Sequence, residues 1–231
     1  MEYDSRLGEV AQALADPLRL AVLQHLMGGP ATVSEIVSVT GESQSNVSNH
    51  LALLRERGMV RVSRQGRQSI YELRDASVAQ LVESLMAVAG AKPARYRESP
   101  PLARARTCYD HLAGRVGVAL FDSLFSHGAV GGPQEPKASL EIGPEGEAVF
   151  RELGIDLEEV RRERRRFAYA CLDWTERKPH LGGALGAALW AKFVERGWVL
   201  KKPGTREVIV TDEGKANLES KLGVRFKGVE F

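Results

Sequence analysis

The chain has 231 residues, 43% hydrophobic and 27% charged, with a formal net charge of +2 and a pI near 8.6. That allows one large domain or two small ones of ordinary globular composition. No apolar run approaches the roughly 18 residues of a membrane span, the N-terminus lacks the basic and apolar regions of a secretory leader, and two distant cysteines make no extracellular disulfide framework, so the expected setting is the cytoplasm with reduced thiols.

In chain order, "ADPLRLAVLQHLMGGPAT" predicts a helix. Asp16 caps it, Pro17 sits at the first helical position, and Gly28-Gly29-Pro30 stops it. Leu18, Val22, Leu23 and Leu26 form its apolar stripe. "TVSEIVSVTG" predicts a second helix, with Thr32 and Glu35 as a capping box and Ile36 on the buried side. After a turn at Gly41-Glu42, "SQSNVSNHLALLRERGMV" predicts a third, capped by Ser43. Its inner face carries Val47, Leu51 and Leu54, and His50 reads as a packed core histidine on that face.

Beyond Gly58 the period changes to two. "MVRVSRQGRQSIYEL" predicts a β-hairpin with Arg64-Gln65-Gly66-Arg67 at its tip. "DASVAQLVESLMAVAG" returns to helix, with Val78, Leu81, Val82, Leu85 and Met86 on one side. The Pro-, Gly- and charge-rich stretch 91–103 reads as a linker between a domain at 1–90 and another at 104–231.

The second domain contains an internal repeat, spanning about 106–156 and 169–225. With six residues inserted in the second copy, Cys108 aligns with Cys171 and Asp110 with Asp173. His111-Leu112-x-Gly114 then aligns with His180-Leu181-x-Gly183. Each copy reads as helix, short hairpin (Leu140 to Ile142; Val208 to Val210), helix, in the manner of an abbreviated winged-helix unit. The expected class is mainly α with small β-hairpins: an N-terminal winged helix-turn-helix, then a pair of repeated helix–hairpin–helix units.

Two helices on a tight turn, followed by a basic-tipped hairpin, suit a DNA duplex. A helix fits the major groove with its N-terminal residues against base edges, where Asn and Gln pair with adenine. From Arg55 to Arg74 there are six arginines against Glu56 and Glu72, whereas residues 1–54 hold only Arg6 and Arg19. Phosphate contact needs such a local excess. The candidate DNA surface is Gln44, Ser45, Asn46, Ser48 and Asn49, with Arg64, Gln65 and Arg67 at the wing. One polar residue at a helix start is often only a cap; five exceed what a cap needs.

Residues Leu14 to Leu85, about a third of the chain, resemble the ArsR/SmtB family of bacterial transcriptional regulators. "ALADPLRLAVLQHL", "TVSEIV", "SQSNVSNHLALLRERGMV" and "VSRQGRQSIYEL", in that order, carry the resemblance. It implies a homodimer joined through the first helix and the Val78 to Met86 helix, and repression of a nearby operator relieved by an effector. The family's metal sites do not carry over. "ATVSEIV" has no cysteine where metal sensors place a Cys-x-Cys box, and the dimer helix offers Asp75 and Glu83 but no histidine. More than a hundred residues also lie beyond the family's usual length.

The repeated element offers Cys108, Asp110, His111, Cys171, Asp173 and His180 as effector-site candidates. If the copies face each other, Cys108, His111, Cys171 and His180 meet, and two thiols with two imidazoles suit Zn or a similar ion. The cysteines alone make a redox pair if a basic neighbour such as Arg106 lowers a thiol pKa. Both readings rank behind an organic ligand between the repeats and behind simple recurrence of packing residues, so no resident cofactor is expected. Tyr109, Trp174 and Trp190 serve core or pocket lining equally.

"DLEEVRRERRRFAYACLDW" carries five arginines from Arg161 to Arg166, and with Glu158, Glu159 and Glu163 it reads as a solvated helix face. Gly-rich phosphate loops, GxSxG and HExxH are all missing from the sequence, so no enzyme is expected. The favoured function is a sequence-specific transcriptional regulator, a repressor, modulated through its C-terminal domain. The alternatives are a thiol-redox or metal-responsive switch or enzyme with a DNA-targeting module, and a constitutive architectural DNA binder.

Overall fold

The computed structural model describes residues 4–90, 100–203 and 205–226; the linker expected at 91–103 lies, over 91–99, outside the described residues. The chain divides into two compact units, Met1–Val88 and Ala89–Phe231.

The first unit opens with α1 (Ser5–Leu14), whose N-terminal amide at Arg6 is taken by the Asp4 side chain. This helix was not among the sequence expectations. α2 (Pro17–Leu26) starts as its cap predicts, with Asp16 Oδ1 accepting from the Arg19 amide at 2.9 Å. A two-residue strand, β1 (Ala31–Thr32), leads into α3 (Val33–Thr40). Its capping box is complete: Glu35 N–H donates to Thr32 Oγ1 at 3.2 Å, and Thr32 N–H donates to Glu35 Oε2 at 2.7 Å. α4 (Gln44–Glu56) follows, capped by Ser43.

β2 (Val60–Gln65) and β3 (Gln68–Leu73) pair antiparallel from Val60↔Leu73 to Gln65↔Gln68. The two-residue loop between them has Gly66 at φ 61°, the positive φ that such a loop demands at its first position. β1 joins the far side of β3, giving a sheet of order β1-β3-β2. α5 (Ala76–Val88) closes the unit. Its core is Val22, Leu23, Leu26, Ile36, Val47, Leu51, Leu54, Val60, Val78, Val82 and Met86, all buried. This is a winged helix-turn-helix.

The second unit begins with α6 (Pro100–Arg104), then runs β4 (Arg106–Cys108), β5 (His111–Ala113), α7 (Gly114–Ser126), β6 (Val130–Gly131), β7 (Glu141–Ile142) and α8 (Gly146–Glu152). After α9 (Leu157–Arg161) the order recurs as β8 (Tyr169–Leu172), β9 (Pro179–Gly182), α10 (Ala184–Glu195), β10 (Val199–Lys201), β11 (Val208–Val210) and α11 (Asp212–Leu222). The expected helix–hairpin–helix order is therefore corrected: a further hairpin precedes each first helix, and the aligned Cys and His residues stand on it. Its strands are only three or four residues long, too short for a period-two pattern to show.

The two stretches are interlocked. α7 packs on β9 and α10 on β5. Val208 N–H donates to Ala105 O at 3.0 Å, tying the β11 end to β4, while Leu140 N–H donates to Ala168 O at 3.1 Å, tying the β7 end to β8. A Cβ at Gly117 of α7 would lie 2.5 Å from Leu112 O, and one at Gly186 of α10 would lie 2.4 Å from Leu181 O. Each helix thus rests on hairpin backbone, at a distance only glycine permits. Phe121, Phe150, Leu185, Phe193 and Leu218 lie in the shared core.

The arginine run is solvent-exposed, as expected, but only Arg161 of it is helical. α9 stops at Arg161, and the far end of the run serves α10: the carbonyls of Arg166 and Phe167 accept the Ala184 and Leu185 amides, each at 2.9 Å. Those amides are the orphan donors of a helix start. Arg165 is drawn to Asp110, and Arg166 donates to Lys137 O and Ser139 Oγ while lying over the Tyr169 ring.

Candidate nucleic-acid interface and buried cysteine–histidine cluster

α4 separates its two faces cleanly. Val47, Leu51 and Leu54 are fully buried, so the helix is held from one side. Gln44, Ser45, Ser48 and Asn49 are exposed on the other. Asn46 differs from its neighbours: it is half-buried, and its Nδ2 donates to Glu42 Oε2 at 2.9 Å. Ser45 Oγ shares a hydrogen bond with the cap, Ser43 Oγ, at 3.2 Å. His50 is corrected from core residue to buttress. It is half-buried, with Nδ1 3.6 Å from Asp16 Oδ1, and so ties α4 to the cap of α2.

The basic stretch resolves into two populations. Arg57 pairs with Glu9, Arg61 with Glu72 across the hairpin at 2.9 Å, and Arg74 with Asp75 at 2.8 Å. Arg64, Gln65 and Arg67 stand exposed at the hairpin tip, with no ion pair of theirs among the described residues. Counting charge along the sequence missed this division, because Glu9 lies outside the stretch and the Arg61–Glu72 pairing depends on register. α5 and α1 also leave apolar surface uncovered, at Leu81, Leu85 and Val88 and at Leu7.

In the second unit all six effector-site candidates come together. Cys108 lies opposite His111 in the β4–β5 ladder, and Cys171 opposite His180 in β8–β9. Directly opposed residues of an antiparallel pair present their side chains on the same face. Each hairpin therefore offers one thiol and one imidazole side by side. Facing each other, the two hairpins bring one ligand atom from each of the four residues within 4.8 Å of all the others. His111 Nε2 and His180 Nε2 are 3.2 Å apart. Cys108, His111 and His180 are buried and Cys171 is half-buried.

The aspartates sit behind the imidazoles. Asp110 Oδ1 is hydrogen-bonded to His111 Nδ1 at 3.3 Å. Asp173 Oδ2 lies 3.4 Å from His180 Nδ1, close enough for charge but out of line for a hydrogen bond. Asp173 is held fully buried by Arg106, whose Nη2 donates to both carboxylate oxygens at 2.9 Å, by the Gly114 amide at 2.7 Å and by Thr175 Oγ1 at 2.7 Å. Burial opposes its ionisation, but Arg106 and His180 outweigh that and hold its pKa well below the usual carboxylate range. For Asp110, likewise, burial is outweighed by hydrogen bonds from His111 and Arg165, leaving it lowered to about 2. Burial pulls the His111 imidazole down, and Asp110 and Cys108 more than offset it, raising it to about 9.

Arg106 is thereby corrected from thiol activator to structural cation. Its guanidinium is committed to Asp173, Leu102 O and Thr175, and stacks on Trp174 at 4.7 Å. Trp174 is buried, Tyr109 is exposed at the β4–β5 turn with φ 61°, and Trp190 packs half-buried against the core.

A family model described as a helix-turn-helix domain matches residues 14–63. An uncharacterized HTH-type transcriptional regulator, YdfF of Bacillus subtilis strain 168, is 37% identical over 226 residues, covering 95% of this chain and 98% of its own. The HTH-type transcriptional regulator NmtR of Mycobacterium tuberculosis is 40% identical over 79 residues, 34% of this chain and 66% of its own. A solved homodimeric winged helix-turn-helix DNA-binding domain from Mycobacterium bovis aligns at 30% identity and a TM-score of 0.36, covering 37% of this chain and 80% of that one.

Proposed function

Because this chain belongs to the ArsR/SmtB-type helix-turn-helix transcriptional regulators, we propose that it is a homodimeric repressor. In this reading α4 reads an operator in the major groove and the hairpin tip holds the flanking backbone. The observation that carries it is the exposed polar row Gln44, Ser45, Ser48 and Asn49, displayed on a helix anchored by three fully buried residues. Arg64, Gln65 and Arg67 provide the backbone contact, the charge of the two arginines uncommitted within the described residues of the unit. The uncovered apolar residues of α5 and α1 support dimerisation there, because two such faces hide each other's surface.

The C-terminal unit is proposed as a duplication that modulates operator binding. The recurrence of its element order and the reciprocal packing of each helix on the other half's hairpin support a common origin. The six convergent residues support a regulatory or supporting role for its centre, and the match to the Bacillus regulator runs through both units.

Titration of the full chain against DNA from upstream of its own gene, with unspecific competitor present, tests the operator reading. Asn49→Ala costs about 1–3 kcal/mol of discrimination, roughly 5- to 150-fold, if Asn49 meets a base edge. Asn46→Ala has the smaller effect, since Asn46 already bonds Glu42. Unchanged specificity in both variants sinks α4 as the reader.

A further inference from the structure

We propose that Cys108, His111, Cys171 and His180 form a closed, four-coordinate site for a zinc-type divalent cation, which clasps the two hairpins β4–β5 and β8–β9 of the C-terminal unit. The proposal does not depend on the operator reading.

Geometry comes first. A tetrahedral ion with Zn–N bonds of roughly 2.0–2.1 Å sets its two nitrogens about 3.3–3.4 Å apart, and its two sulfurs at roughly 3.8 Å. The two Nε2 atoms here are 3.2 Å apart, and no ligand atom is further than 4.8 Å from any other. Closing onto a metal requires sub-ångström to about one-ångström shifts of side chains already on the correct faces of two ladders.

The placement of the carboxylates is the second argument. Asp110 accepts from His111 Nδ1, which keeps a proton on Nδ1 and turns Nε2 towards the centre of the cluster. His180 places Nδ1 3.4 Å from the buried Asp173 carboxylate, within reach of its charge though out of line for a hydrogen bond. The two Nε2 atoms thus face each other in a buried space, 3.2 Å apart, where a divalent cation can take the place of the proton between them. A carboxylate behind each metal-facing imidazole is also how protein zinc sites orient histidine and fix its tautomer.

Donor chemistry selects the ion. Two thiolates and two imidazoles suit zinc and exclude calcium or magnesium, which take oxygen ligands. The nearby carboxylates are occupied: Asp173 by Arg106, Gly114 and Thr175, Asp110 by His111 and Arg165. Binding releases to solvent the two thiol protons and any proton held on the two Nε2 atoms. The product, two thiolates and two neutral imidazoles around a divalent ion, has no net charge, which suits a buried position. All four positions are filled by protein, so the site is of the structural kind with no place for a reacting water. His111 and His180, one from each hairpin, are 69 residues apart in sequence, so binding contributes directly to the folding of this unit.

The test uses the reduced full chain, stripped with chelator and titrated with Co²⁺, then Zn²⁺. One equivalent of cobalt giving intense tetrahedral visible bands with a thiolate charge-transfer band, displaced by zinc, is expected. Cys171→Ser, a near-isosteric change at the half-buried ligand, abolishes the one-equivalent spectrum. Asp110→Asn retains it with affinity reduced about 10- to 100-fold. Zinc also protects Cys108 and Cys171 of the unmodified chain from alkylation, a readout that survives if a variant fails to fold. Substoichiometric uptake by the folded, reduced chain overturns the proposal. So does an octahedral cobalt spectrum, one unaltered by Cys171→Ser, or a Cys108–Cys171 disulfide in protein recovered under thiol trapping.

Discussion

The two units solve opposite problems with polar residues. In α4 the apolar residues are inside and the amides and hydroxyls outside, so Gln44, Ser45, Ser48 and Asn49 cost folding little and are available to a partner. In the C-terminal unit the centre itself is polar: Arg106, His111, Asp173 and His180 are each at most 2% exposed. Burying charges costs several kcal/mol per ion unless they are paired and hydrogen-bonded. An exposed polar row is therefore read by what it can touch, and a buried one by how completely it is satisfied from within.

The largest expected effect breaks the buried network. Asp173→Ala leaves the Arg106 guanidinium buried without its carboxylate and costs about 3–5 kcal/mol. Trp174, Trp190 and Trp198 all lie in the C-terminal unit, so urea unfolding followed by tryptophan fluorescence reports on that unit alone. An unshifted midpoint would mean that the network is not what holds the centre. In the other unit, Leu51→Ala removes a fully buried anchor of α4 and costs about 2–5 kcal/mol. Its effect shows in far-ultraviolet circular dichroism and in weakened operator binding, with the tryptophan signal unchanged.

A smaller effect comes from acid. The Asp110 carboxyl is lowered from 3.8 to about 2 in the folded chain. A depressed folded pKa means stability that is fully present above the unfolded value and lost as pH falls through the folded one. The tryptophan-monitored melting temperature should therefore decline from about pH 4 towards pH 2. Asp110→Asn should flatten that decline; an unchanged acid limb would show that Asp110 does not contribute to it.

The first unit was legible because its signals are local. Asp16, the Thr32/Glu35 box, Ser43 and the Arg64-Gln65-Gly66-Arg67 tip each act within a few residues, and the structure places each at the end of its element. α1 escaped because it carries few large apolar residues and buries only Ala13 and Leu14. The second unit depends on long-range partners. Arg106 finds Asp173 across 67 residues, and no local pattern announces that pair. The repeat did make a meeting of Cys108, His111, Cys171 and His180 foreseeable, since equivalent residues of facing copies approach one axis. The hairpins that carry them were not foreseeable, because a Tyr109-Asp110 turn between three-residue strands gives no alternation to follow.

The smallest effects on folding lie at the wing, where they separate charge that holds the protein from charge that holds DNA. Arg61 is exposed but engaged with Glu72 on the neighbouring strand, whereas Arg64 and Arg67 occupy the tip. Surface pairs of this kind contribute little to stability. Replacing Arg61 by Ala should leave the melting midpoint nearly unchanged and the salt dependence of operator binding intact. Replacing Arg64 and Arg67 together should also leave folding unchanged. It should, however, lower affinity and reduce the slope of log affinity against log salt by about 2, since each phosphate that the protein no longer neutralises removes roughly 0.9 from it. If instead Arg61→Ala reduces the slope and the tip variants do not, the duplex lies along the face of the hairpin, with the paired arginine exchanging Glu72 for a phosphate.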